Sequence, residues 1–403
     1  MKSEPYLTKD IGSPFPTECY AQTFTVSFDY PVYFTNDLFH PQNNLLASVV
    51  ERKNERLPHK IKVLLDSGID QTTAGFQGKI KTHMDSYPGL KMEGKIEIVP
   101  GGEQAKNDWN LARHIMHTLA DGHLCRHSYV LAIGGGSFLD IVGLAASLVH
   151  RGVRLIRVPS TVLSQNDAGV GVKNGIDEHG MKNFAGTFTP PFAVLNDFQF
   201  LRTLPEKYWT GGIAEAFKVA IIKDRGFFNF LCANAEKLKE RDDSAIEATI
   251  KRCAILHLEH IRTSGDPFEF GSARPLDFGH WSAHRLEVLS KHQIGHGRAV
   301  AIGIALDSCY AHQKGMVTSA ERDSIIDTLE KTGLPIWDDL LEQKTPEGKL
   351  LVLKGLDDFQ EHLGGQLNVT LPNRIGRKVE VHEMDAALIH EAIAYLKERS
   401  GHN

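Results

Sequence analysis

Apolar positions change their rhythm midway along the chain. In the first half they form short runs closed by glycine, proline or acidic residues. Residues 23–34 (TFTVSFDYPVYF) alternate and are rich in β-branched and aromatic side chains, which predicts an N-terminal strand interrupted at Pro31. Residues 62–66 and 96–99 are short apolar runs, the first ending at Asp66 and the second at Pro100-Gly101-Gly102. Trp109, Leu111, Ala112, Ile115, Met116 and Leu119 recur at helical spacing and predict a helix over 107–121. Residues 128–133 form a buried strand running into Gly134-Gly135-Gly136, followed by a helix over 139–150 and a strand over 155–158. Strand, helix and strand at this spacing form the βαβ unit of a parallel sheet. Beyond about residue 205 the strands nearly stop. Helical spacing predicts helices over 211–223, 227–239, 244–261, 280–290, 298–314, 319–332 and 383–397. The expected organisation is an α/β domain with a parallel sheet and an N-terminal strand extension over 1–204, then a helical domain over 205–403. A ligand would sit at the carboxyl ends of the sheet strands, facing the helical half.

Composition narrows the class. Of 403 residues, 41% are hydrophobic and 24% charged, which excludes a mostly disordered or membrane-spanning chain. The net charge of −5 gives no global attraction to nucleic acid or an anionic membrane. Five scattered cysteines with no C-x-x-C pairing read as free thiols of a reducing compartment. The first ten residues lack the apolar run of a secretory signal, so a cytoplasmic location is expected. The count of 20 histidines makes a metal or acid–base site worth seeking.

Several segments could carry chemistry. The turn from Gly134 to Asp140 follows a buried strand and opens a helix, a placement that suits phosphate binding at free N–H groups. Residues 159–186 read as a long glycine-rich loop carrying Asp167, Lys173, Lys182 and Asn183, side chains suited to polyol hydroxyls and phosphate. Glu215 and Lys218 share a helix face, and from that segment alone a surface ion pair is the plainer reading. His280 and His284 lie at i, i+4, with His296 shortly after, and from spacing alone His280 and His284 pair on a metal. His114, His117, His123 and His127, and likewise His257 and His260, sit among charged residues and read as solvated surface.

In order, Pro100-Gly-Gly-Glu103-Gln-Ala-Lys106, the 134–140 turn, His150-Arg151-Gly152, the 159–183 segment, Phe200-Leu-Arg-Thr203-Leu-Pro205, Gly212-Ile-Ala-Glu215-Ala-Phe-Lys218, Phe278-Gly-His280 and His296-Gly297 resemble the sugar-phosphate cyclase family, 3-dehydroquinate synthase above all. The resemblance implies a Rossmann-like NAD-binding domain followed by a helical metal- and substrate-binding domain. It implies a cytoplasmic homodimer and a lyase that takes a small sugar phosphate and no nucleic acid or membrane partner. NAD and a divalent metal, zinc or cobalt, are the implied cofactors. The metal falls on Glu215, His280 and His296, which moves His284 to a substrate-phosphate or acid–base role. The implied NAD contacts are Asp66, Glu103, Lys106, Gly134, Gly135, Gly136, Asp140, Ser160, Thr161, Lys182, Thr203 and Leu204. The implied substrate and catalytic residues are Asp167, Lys173, Asn183, Lys218 and His284, with Arg151 reaching a partner subunit's phosphate.

Departures from that pattern bear on the substrate. Asp277 stands where the synthase has Asn, and Ala273 where it has an arginine that holds the substrate carboxylate, with Arg274 one step off. Glu361-His362-Leu363 replaces an Asp-Lys-Lys, and Gly171-Val-Lys173-Asn-Gly175 replaces G-G-K-T-G. A carboxylate-bearing substrate would lose charge-assisted bonds of roughly 1.5–3 kcal/mol each. The expected substrate is therefore a non-acidic ketose phosphate such as sedoheptulose 7-phosphate. The alternatives are 3-dehydroquinate synthase itself, acting on 3-deoxy-arabino-heptulosonate 7-phosphate, and a metal-dependent polyol or glycerol-phosphate dehydrogenase. The valiolone-type cyclases carry Gly-His-Thr-Trp-Ser-Pro where this chain has Gly279-His-Trp-Ser-Ala-His284.

Overall fold

A computed structural model of the chain describes residues 22–401 except 56–57, 179–180, 269–275, 292 and 363–364, and the side chains of Met181 and His362. Ala273, Arg274 and the 362–363 side chains therefore lie outside the described residues, as does Cys19. The N-terminal half is built on strands β1 (Val32–Thr35), β2 (His59–Asp66), β3 (Leu90–Met92), β4 (Glu97–Val99), β5 (Tyr129–Gly134), β6 (Arg154–Pro159), β7 (Lys173–Glu178), β8 (Met181–Phe188) and β9 (Ala193–Asp197). Seven of them form one parallel sheet in the order β1-β9-β6-β5-β2-β3, with β4 also paired to β2. Every residue of β5 is buried, as the centre of a sheet covered on both faces requires. The parallel register aligns the carboxyl ends, with Asp66 opposite Val99 and Gly134 opposite Pro159.

Those ends are crowded in a way only glycine permits. A Cβ on Gly134 would lie 2.3 Å from the Phe138 ring, and one on Gly101 would lie 2.1 Å from the Asp66 carboxylate. The helix Gly136–Leu148 starts there with no side-chain cap, so its first N–H groups remain open at the carboxyl end of β5.

In the second half the helix Glu206–Lys223 is buried continuously from Trp209 to Ile222. The helix His296–Gln313 crosses it where Gly211 meets Gly297: a Cβ on Gly297 would lie 1.9 Å from the Gly211 carbonyl. The helix His280–Leu289 meets the same helix at Gly279 and Gly303, where a Cβ on Gly303 would lie 2.0 Å from the Gly279 carbonyl. These close approaches draw three helices to one point.

Three expectations are corrected. Residues 23–34 do not form one strand: β1 covers only Val32–Thr35, beyond Pro31, and Phe24, Val26 and Phe28 stand exposed. Residues 159–186 are not an irregular loop. They hold a π-helical turn, Ser164–Ala168, and the antiparallel hairpin β7–β8. The glycines that suggested a loop serve the hairpin's tight pairing, since a Cβ on Gly186 would lie 2.3 Å from the Asn174 carbonyl. The C-terminal half is not wholly helical: β10 (Val369–Pro372) and β11 (Lys378–Val381) form a hairpin, and the helix expected over 227–239 breaks at Asn234 into Arg225–Ala233 and Ala235–Lys239. A further helix, Lys354–His362, had no prediction. No helix among the described residues is long and apolar enough to cross a membrane.

Candidate active site

The glycine crossings set the geometry of the site. Glu215 lies one turn beyond Gly211, and His296 adjoins Gly297, so the Gly211–Gly297 contact brings them together. His296 Nε2 lies 3.3 Å and His280 Nε2 3.7 Å from the same atom, Glu215 Oε1. One donor atom from each of Glu215, His280 and His296 falls within 4.8 Å of the others. Glu215 is fully buried, and neither carboxylate oxygen has a well-formed hydrogen bond. A buried carboxylate that turns one oxygen to two imidazoles and the other to the Lys218 ammonium is a donor set that fits a divalent cation with an open coordination position. The His280 Nδ1 contacts the Phe278 carbonyl at 3.1 Å, which assigns its proton there and leaves Nε2 for the ligand role.

Electrostatics agree. Burial alone would raise the Glu215 pKa, but the Lys218 ammonium, ion-paired with its other oxygen, holds it well below the ordinary carboxylate value. Burial, reinforced by Lys218, depresses His280 to about 4, so it is a neutral imidazole at pH 7. The Glu215–Lys218 pair is thus a buried element of the site, and the surface reading of that pair is corrected.

Two residues overlooked in the sequence complete the arrangement. Glu287, buried, contacts His296 Nδ1 at 3.2 Å and Lys182 Nζ at 2.8 Å. Lys182 in turn pairs with Glu103 at 2.9 Å, and Glu103 accepts from the Ser137 hydroxyl at 2.5 Å, on the first turn of the uncapped helix. A chain of charged side chains thus runs from the glycine-rich turn to the histidine cluster. Glu287 follows His280 by two helical turns, a signal readable in the sequence only once His280 is known to face the site. His257 is the second. Its Nδ1 lies 2.8 Å from Asp167, which corrects the solvated-surface reading of that histidine. Burial would raise Asp167, but Lys218 and then His257 bring it down to about 2. His117, His123 and His127 are exposed as expected, and the exposed His114 meets Glu97 at 2.9 Å.

His284, exposed on the same helix as His280, has its ring centroid 5.4 Å from His280 and 6.1 Å from His296. It forms a second convergent group with Glu287 and His296, but Lys182 already occupies one Glu287 oxygen.

On the sheet side, Asp66 caps the Ser67–Thr72 helix through Gly68 N at 2.8 Å, between Gly101 and Gly134. Ser160 N donates to the Gly134 carbonyl at 3.0 Å, and a Cβ on Gly135 would lie 3.4 Å from the Thr161 methyl. These residues line one edge. Lys106 is buried and donates to Asp140 Oδ2 at 2.8 Å and to Asn183 Oδ1 at 2.5 Å, so it joins two other expected residues. Lys173 is exposed at the start of β7, and Arg151 is exposed with φ 62 at the end of the short helical turn Val149–Arg151. Thr203 is exposed, whereas Leu204 packs into the helical core and its carbonyl accepts from Arg241 at 2.8 Å. The segment 159–175 is held from beneath by Arg157, wholly buried, which donates to the carbonyls of Gly169, Gly171 and Lys173 and to Asn174 Oδ1.

A sheet domain with an open helix start, set against a helical domain that converges two histidines and a glutamate, defines a class of enzyme that the comparisons identify. The 3-dehydroquinate synthase N-terminal model matches residues 96–211 and its C-terminal model residues 212–351. The chain belongs to the 3-dehydroquinate synthase family, and it is a cyclase enzyme of the sugar-phosphate cyclase group. It is 34% identical to a 3-dehydroquinate synthase of Vibrio atlanticus, over 74% of this chain and 81% of that protein. It is 31% identical to a 2-epi-5-epi-valiolone synthase of Streptomyces glaucescens, over 88% of this chain and 87% of that one. The structure of a 2-epi-5-epi-valiolone synthase from Streptomyces hygroscopicus subsp. jinggangensis, with NAD+ and Zn2+ bound, superposes with a TM-score of 0.83 at 28% identity, covering 94% of this chain and all of that one.

Proposed function

We propose that this chain cyclises a ketose phosphate without a carboxylate, sedoheptulose 7-phosphate being the best match, with elimination of phosphate and NAD regenerated in each turnover. The observation that carries the reading is the convergence of Glu215, His280 and His296 on one buried point, with Lys218 beside it. The similar valiolone synthase that holds NAD+ and Zn2+ supports the same two cofactors here, zinc or cobalt on those three residues and NAD along the glycine-rich edge. When bound, these groups would supply transient oxidation of a ring hydroxyl and Lewis-acid polarisation of the resulting carbonyl, which acidifies the neighbouring C–H.

The chain's own residues do the rest. Lys218 fixes the Glu215 carboxylate and places a positive charge beside the reacting oxygen. Asp167, ionised and held by His257, and His284, open to the cleft, are placed for proton relay. Lys173 and Asn183 orient the polyol and phosphate. The two domains, 1–204 and 205–403, then enclose the substrate between them. Arg151, exposed after β5 and its helix, would reach the phosphate of a second subunit. Mixed subunits carrying Arg151→Ala and Lys218→Ala, each inactive alone, should therefore recover partial activity, and no recovery after demonstrated exchange counts against the shared site.

The substrate choice rests on Ala273 and His362, which stand in the sequence where the synthase has cations, and on Asp277, which replaces a neutral amide and would repel a substrate carboxylate near it. A panel of sugar phosphates, with inorganic phosphate and NADH both followed, tests the reading. Sedoheptulose 7-phosphate should release phosphate without net NADH, and the acidic heptulosonate phosphate should react at least about tenfold less efficiently, the equivalent of roughly 1.4 kcal/mol. Efficient dehydroquinate formation with no release from sedoheptulose 7-phosphate would instead make this a 3-dehydroquinate synthase, the reading favoured by the Vibrio relative. Accumulation of NADH from a polyol would point to a dehydrogenase.

A further inference from the structure

Asp307 is a carboxylate with no evident reason to be where it is. It sits on the helix His296–Gln313, fully buried, and forms no ion pair among the described residues. Burying an acidic group without a cation is costly, and a hydrophobic residue there would pack at less expense. Its two oxygens face two donors. Oδ1 accepts from the Trp281 indole N–H at 2.8 Å, and Oδ2 from the Gly279 backbone N–H at 3.0 Å. Those residues flank His280 on either side.

The turn they form has little freedom. Gly279 adopts φ 79, and a Cβ there would lie 2.8 Å from Ile304 N. The same turn presents the Phe278 carbonyl to His280 Nδ1, so its conformation sets both the direction of the ring and the tautomer that leaves Nε2 for a ligand.

We propose that Asp307 is a positioning residue for the metal site: by clamping Gly279 and Trp281 it aims His280 Nε2 at the point shared with Glu215 and His296. The inference rests on the metal reading of that site. It explains why a carboxylate is required, since two inward-pointing donors need two acceptor oxygens. Asparagine, nearly the same shape, would set its NH2 against one of the two N–H groups.

The test is cobalt binding to chelator-stripped full-length protein, read by the visible ligand-field spectrum and by competition with a chelator. Wild type should bind one Co2+. Asp307→Asn should bind about 10–100-fold more weakly, with an altered visible band. Trp281→Phe, which removes one clamp donor and keeps the other, should show a smaller loss of the same sign. Leu329→Ala, a core truncation on the helix Ser319–Lys331, controls for general destabilisation and should keep wild-type affinity and spectrum. Wild-type affinity and spectrum in Asp307→Asn overturn the proposal, as does an equal loss in Leu329→Ala. If Asp307→Asn does not fold, unchanged cobalt binding by Trp281→Phe overturns it. Failure of the wild type to bind cobalt at all removes the metal reading itself, and the clamp's purpose with it.

Discussion

Arg157→Lys probes how the segment that carries Asp167 is held. The guanidinium is wholly buried, and no carboxylate among the described residues pairs with it; its charge is stabilised by oxygen dipoles. Nη1 donates to Gly169 O at 3.1 Å and Gly171 O at 2.8 Å. Nη2 donates to Lys173 O at 3.1 Å and Asn174 Oδ1 at 2.6 Å. An ammonium concentrates its donors on one atom at the end of a differently shaped side chain, so it cannot span both pairs and loses at least two bonds. At about 1.5–3 kcal/mol for each charge-assisted bond, the loss is about 3–6 kcal/mol. That is a large fraction of a stability of about 5–15 kcal/mol. Urea unfolding followed by far-ultraviolet circular dichroism measures it. Where folded protein remains, kcat should fall and KM should rise together, because the relay residue Asp167 and the hairpin that carries Lys173 lose their fixed position while the metal affinity of the histidine cluster stays unchanged. A destabilisation below about 1 kcal/mol would refute the reasoning, since it would mean that the four acceptors find other partners at no cost. Arg157→Met adds a second check: if it is as stable as wild type, burying the charge costs as much as its hydrogen bonds return.

His296→Ala should lose metal and activity together, whereas His284→Ala should keep the metal by elemental analysis; the reverse result would assign the ion to the i, i+4 pair His280 and His284. Glu287→Gln removes the charge facing His296 Nδ1 and Lys182, and metal affinity by chelator competition should fall about 10–100-fold with the fold intact. Glu55 is hydrogen-bonded by Arg154 at 2.7 and 2.6 Å, and that pair chiefly lowers its pKa from 4.5 to about 2. The folded pKa is depressed, so the stabilisation is full above about pH 4.5 and is lost as the pH falls toward 2. The pair is partly solvated, so Glu55→Gln should cost on the order of 1 kcal/mol at pH 7 and almost nothing at pH 2. A Glu55→Gln penalty that did not shrink with acidification would contradict this assignment.

Periodicity alone determined the layout of this protein. The runs at 62–66, 128–133 and 155–158 reappear as strands of one parallel sheet, and six of the seven expected C-terminal helices appear as continuous helices near their predicted bounds. Burial imposes its period on a strand or helix locally, so a window of ten or so residues contains the signal. The glycine-rich turn was legible for the same reason: strand, glycines and helix start are neighbours in the chain. The extended reading of 23–34 and the loop reading of 159–186 failed where local signals mislead. An alternating apolar segment is a strand only if it finds a partner strand, and a glycine-rich one is a loop only if no hairpin forms.

The site itself was decided by contacts between residues far apart in sequence. Spacing offered His280 and His284 as neighbours on one helix face. Which histidine joins His280 depends instead on where Gly211 and Gly297 let two helices touch, because that contact brings Glu215 to His296. Family motifs pointed to Glu215, His280 and His296, which the fold brings together, but nothing in the order of residues showed Glu287 behind His296, His257 against Asp167, or Arg157 and Asp307 buried with no ion pair among the described residues. A charged side chain in a sequence reads as solvated surface by default. Only the packed structure reveals which charges have exchanged water for a small number of directed partners, and in this chain those charges cluster around Glu215, His280 and His296 and the segment that carries Asp167.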